Sequence, residues 1–87
     1  MSVNEFLELE YKDQLHLINR SGKLKKSIIV NDYQYTLYKV KSFYVELKRK
    51  VKELSFEQIT PMYYHDLPDK YKTVNGKTFR NRFFPGD

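Results

Sequence analysis

The spacing of apolar side chains changes period once along this chain, near Gly22, and that change limits the fold more than any other feature. Before it, Val3, Leu7, Tyr11, Leu15 and Ile18 recur at steps of four, four, four and three. That is the stripe of one face of a helix with 3.6 residues per turn. Ser2 followed by Glu5 has the form of a capping box, and the acids Glu5, Glu8 and Glu10 suit the positive end of a helix. A helix is therefore predicted from Val3 to about Arg20, with Gly22 as a left-handed stop. Glu10 also allows a short first turn followed by a separate second helix.

Beyond Gly22 the period is two. Ile28, Ile29 and Val30 lead through Asn31-Asp32 into Tyr33, Tyr35 and Leu37, which alternate with Gln34, Thr36 and Tyr38. Phe43, Val45 and Leu47 alternate with Tyr44, Glu46 and Lys48, and Leu54 with Phe56 gives a fourth short run. Alternation of this kind marks half-buried strands. Turns near Lys41 and Lys50 are too short for parallel returns, so neighbouring strands must be antiparallel. The expected fold is α+β: an N-terminal helix packed on a four-stranded antiparallel meander over residues 1–60. A Pro-punctuated extension follows over residues 61–87, as a short hairpin or an extended tail. In it, Asp66 to Lys72 has room for one helical turn, and Asn75-Gly76 is a strong hairpin signal.

With 87 residues, a single domain is expected. The chain has no cysteine, which removes disulfides and thiolate zinc sites as reinforcements. Met1 to Glu10 does not have the form of a signal peptide, and no stretch approaches a membrane span, so the expected site of action is cytoplasmic, away from membranes.

Chemistry is sparse. Gly22, Gly76 and Gly86 are isolated, so no Gly-rich phosphate loop is present. His65-Asp66 has the form of a paired metal ligand, but His16 is the only other histidine, on the predicted helix. No local pattern marks Ser42 or Ser55 as a nucleophile. The chain therefore reads as a non-enzymatic binding protein without a cofactor.

Binding has better material: eight Tyr and six Phe among sixteen Lys and Arg, with a formal net charge of +5. Residues 1–22 are acidic, with Glu5, Glu8, Glu10 and Asp13 against Lys12 and Arg20, and the rest is basic. Tyr63 and Tyr64, between Pro61 and Pro68, combine large contact area with low entropy cost and are candidate partner anchors. Phe79, Arg80, Arg82, Phe83 and Phe84 interleave residue types enriched at interface hot spots. Lys48, Arg49, Lys50 and Lys52 crowd one turn, as rim contacts or as contacts to nucleic-acid phosphates. Lys23, Lys25 and Lys26 crowd the start of the first strand, where lysines also guard against sheet-to-sheet aggregation. Tyr38 and Tyr44 are expected on an outward face, paired across the hairpin.

Phe6-Leu7, Gln14, the helix-ending Gly22, Leu37-Tyr38 and Phe43-Tyr44-Val45-Glu46, across residues 5–60, resemble a group of small proteins carried by phages and mobile elements of gut-type bacteria. The group is similar in its helix-then-meander layout but has a C-terminal helix where this chain has Pro61 to Asp87. No residue role carries over from it. Small products of such elements act as stoichiometric inhibitors of host defence, anti-CRISPR proteins among them. The resemblance therefore implies a larger protein or ribonucleoprotein partner, such as a CRISPR nuclease. The alternative is a nucleic-acid-binding accessory protein of a mobile element, touching RNA or DNA directly through Lys48 to Lys52, Arg80 and Arg82.

Overall fold

The computed structural model describes residues 1–71. Its elements run α1 (Val3–Leu7), α2 (Tyr11–Ser21), β1 (Gly22–Val30), β2 (Tyr33–Val40), β3 (Phe43–Lys50) and β4 (Gln58–Met62), then two 3-10 turns at Tyr64–Asp66 and Asp69–Tyr71. The strands form one antiparallel sheet in the order β1-β2-β3-β4. The α+β meander read from the sequence is thus the fold.

Ser2 caps α1 as its sequence predicts: its hydroxyl accepts from the Glu5 N–H at 3.2 Å, and its own N–H donates to Glu5 Oε1 at 2.7 Å. The helical region is nonetheless two helices joined by a corner at Glu8–Glu10. The corner breaks the stripe: Phe6 is fully buried, whereas Leu7 and Tyr11 are about half exposed. Its physical effect is coverage, since α2 packs on β1 and β2 while α1 reaches β4. One straight helix lies along a single line and cannot cover both edges of a four-stranded sheet. Gln14 secures the corner by donating from Nε2 to the Phe6 carbonyl at 3.0 Å.

Gly22 does not adopt the left-handed conformation expected of it. At φ −80° and ψ 144° it is extended, and α2 passes directly into β1. A glycine is required for a different reason: a Cβ here would lie 2.5 Å from the Ile18 carbonyl oxygen.

Two-residue turns at 31–32 and 41–42 set the register, pairing Val30 with Tyr33 and Val40 with Phe43. Asn31 and Lys41 take positive φ, at 57° and 56°. The fourth strand falls later than Leu54 and Phe56 suggested: β4 is Gln58–Met62, and Leu54 is 95% exposed in the preceding loop. Pro61, read as punctuation, sits inside β4 opposite Val45. An edge strand tolerates its missing N–H because one side of the strand faces no ladder partner.

The sheet carries one core on each face. On the helix side Val40, Phe43, Val45 and Leu47 pack against Phe6, Leu17 and Ile18, with the Phe6 and Phe43 rings edge to face at 5.6 Å. On the other side Ile28 and Leu37 pack against Leu67 and Tyr71, which the C-terminal segment folds back over the sheet. Residues 63–71 therefore form a strap. The expected Asn75-Gly76 hairpin lies outside the described residues.

Candidate binding face

The strap side of the sheet gathers tyrosine and lysine by strand parity. Register places Tyr33 opposite Lys50, Tyr35 opposite Lys48, Leu37 opposite Glu46 and Lys39 opposite Tyr44. Side chains two apart share a face, so these alternate residues of β2 and β3 form one array. Lys48 Nζ lies 4.5 Å from the Tyr33 ring centre and 5.9 Å from that of Tyr35. Lys70, from the strap, lies 3.6 Å from the Tyr35 ring centre, and Lys39 lies 5.9 Å from that of Tyr44. Ammonium groups so placed are attracted by the ring quadrupole. Long, flexible side chains are thereby ordered, which lowers the entropy cost of presenting them to an anion.

Glu46 fastens the strap. Its Oε2 accepts the Tyr71 hydroxyl hydrogen bond at 2.8 Å and pairs with Lys70 Nζ at 3.0 Å. Lys26 donates to the Tyr71 carbonyl at 3.0 Å. Burial, reinforced by Glu46, pushes the Tyr71 hydroxyl well above the ordinary phenol range, so it stays protonated and continues to donate.

The anchors expected at Tyr63 and Tyr64 follow β4 directly and are 40% and 68% exposed. Tyr63 stacks on His65 with ring centres 6.1 Å apart, and Tyr64 leans on Tyr44 at the same separation. These rings make a ridge held between β4 and the buried Leu67. His65 Nε2 and Asp66 Oδ2 lie 3.6 Å apart, both exposed. Among the described residues no group of three or more His, Cys, Asp or Glu could hold a metal ion.

The basic turn divides. Lys48 and Lys50 belong to the strap side, whereas Arg49 points to the opposite side of the strand. Its Nη1 donates to the carbonyls of Lys50, Val51 and Glu53 at 3.3, 3.2 and 2.7 Å, and its Nη2 donates to Gln34 Oε1. Arg49 thus staples the loop, on the other side of the strand from Lys48 and Lys50. Lys52 is exposed in that loop. Tyr38 and Tyr44 do not pair across the hairpin: Tyr38 faces Val45 under the helices, and Tyr44 faces Lys39 on the strap side. Phe79, Arg80, Arg82, Phe83 and Phe84 lie outside the described residues.

Sequence reasoning missed Tyr33, Tyr35 and Lys70. The first two were within reach, since the two-residue turn at Lys41-Ser42 fixes which residues of β2 share a face with Lys48 and Lys50. Lys70 required knowing that the strap folds back.

Comparison with protein-family models, curated proteins and solved structures finds no match to this chain. No helix among the described residues is long and apolar enough to cross a membrane.

Proposed function

We propose that this chain works by binding, as a stoichiometric inhibitor that docks on a larger protein or ribonucleoprotein. The observation that carries the reading is the ridge of Tyr63, Tyr64 and His65, three exposed rings in succession on a sheet-anchored segment. Exposed tyrosines on a fixed backbone bring contact area without a large ordering cost. Phe79, Arg80, Arg82, Phe83 and Phe84 supply further anchors by residue type, with the lysines of the strap side at the rim. An RNA-guided nuclease of a bacterial defence system is the specific target put forward, and the resemblance to mobile-element proteins is its only support.

The test is capture of partners from bacterial lysate by tagged protein, with and without nuclease digestion, at low and high salt. The expected result is a discrete protein that survives both treatments, co-elutes with the chain at fixed stoichiometry and is lost with the paired substitution Tyr63→Ala and Tyr64→Ala. Recovery of nucleic acid alone, released by salt, would sink this reading.

A further inference from the structure

Among the described residues, the strap leaves one end of its side of the sheet uncovered. Leu67 and Tyr71 seal the middle with Ile28, Leu37, Tyr35, Tyr44 and Met62, and Tyr33 lies outside that cluster. Beside Tyr33 the tip of the β1-β2 hairpin and the loop after β3 enclose a hollow of about 560 Å3, whose walls include Asp32, Tyr33, Lys50, Lys52 and Glu53. That volume lies within the range of small-ligand sites. The walls are tied together. Val51 donates its N–H to the Asp32 carbonyl at 2.8 Å, joining loop to hairpin, and the Arg49 guanidinium holds the carbonyls of Lys50, Val51 and Glu53. A surface loop fixed in this way is preorganised to bind.

We propose that this end of the sheet binds single-stranded nucleic acid, with one base stacked on Tyr33 and the adjoining phosphates on Lys48, Lys50 and Lys52. Three features select that ligand. Lys48 Nζ lies 4.5 Å from the Tyr33 ring centre and Lys50 and Lys52 line the hollow beside it, so cations for phosphates stand next to an aromatic surface on which a base can stack. Asp32 and Glu53 in the same hollow are acceptors for the amino and imino groups of a base. Stacking on Tyr33 needs a base that is not already paired, which selects single strands over duplex. The site is separate from the Tyr63-Tyr64 ridge, and a ribonucleoprotein target would offer a surface to each.

The test uses the full chain and fluorescently labelled twelve-nucleotide single-stranded RNA, single-stranded DNA and duplex, followed by anisotropy across a salt series. The expected result is tighter binding to a single strand than to duplex. Tyr33→Ala should weaken it about tenfold or more, in line with the loss of one base–aromatic stack, and Tyr33→Phe should retain it. Lys50→Ala and Lys52→Ala should each reduce the salt slope by about one. The difference between RNA and DNA identifies which strand the site prefers. Three results would each overturn the proposal: no binding at low salt, equal affinity for duplex and single strand, or binding that survives Tyr33→Ala in a protein whose thermal unfolding is unchanged. These outcomes are independent of protein capture through Tyr63 and Tyr64, so each reading can fail alone.

Discussion

The two sides of the sheet are built on different principles. Under the helices the core is entirely apolar: Phe6, Val40, Phe43 and Val45 are completely buried, and nothing polar is enclosed with them. Under the strap, two aliphatic side chains of the sheet meet a tyrosine whose hydroxyl depends on a carboxylate, and lysines lie over the neighbouring rings. The core of the first side is held by burial, which is non-directional and scales with area. The second adds directional bonds that matter mostly when one partner is removed. A small domain with one dry side and one polar side can commit the first to folding and leave the second available for contact.

The sharpest way to break this contrast is to cut into the dry side. Phe43→Ala removes a completely buried ring that packs edge to face on Phe6, and should cost about 3–5 kcal/mol. Chemical denaturation followed by circular dichroism would measure it. For a domain of this size that is a large share of the total stability. A loss below about 1 kcal/mol would mean that the helices are not what holds the sheet.

An intermediate effect is expected at Glu46, whose side chain is only 13% exposed. Glu46→Ala leaves the Tyr71 hydroxyl buried without its acceptor and removes the partner of Lys70, for a cost of about 1–3 kcal/mol. Glu46→Gln keeps an acceptor and should lose less. Denaturation of the pair beside Phe43→Ala ranks the two sides directly. A Glu46→Ala loss equal to that of Phe43→Ala would show that the strap is as essential to folding as the helices.

How much of this was legible in the sequence follows the same division. The core under the helices could be read because its β3 positions, Phe43, Val45 and Leu47, are apolar and alternate with Tyr44, Glu46 and Lys48. Period and parity sufficed. The failures all involve a local tie that pattern does not encode. Leu54 and Phe56 alternate as a strand should, yet the Arg49 fork and the Val51-to-Asp32 hydrogen bond hold residues 51–53 as a loop, and β4 begins at Gln58. Leu7 fits the helical stripe better than Phe6, yet the corner at Glu8–Glu10 inverts their burial. On the strap side, Tyr63 and Tyr64 could be singled out by composition and flanking prolines. Tyr33 was hidden because its significance depends on which neighbours the register gives it.

The smallest effect separates the two sides by pH. The Tyr71 hydroxyl is raised above the ordinary phenol value of 10.0 by burial first and by its hydrogen bond to Glu46 second. The folded protein therefore keeps a proton that the unfolded chain releases as pH rises past about 10. Linkage gives the sign: stability from this group is fully present below that pH and is lost above it, at no more than about 1.4 kcal/mol per pH unit. Tyr71→Phe should cost about 1 kcal/mol at neutral pH, from one lost hydrogen bond. It should also remove this share of the alkaline decline. The gap between wild type and Tyr71→Phe should then close as pH passes 10 and reverse beyond it, while the gap between wild type and Phe43→Ala stays level. Denaturation midpoints from pH 7 to 11 would show both trends. A Tyr71→Phe gap that also stays level would mean that the tyrosine ring alone, without its hydroxyl, holds the strap to the sheet.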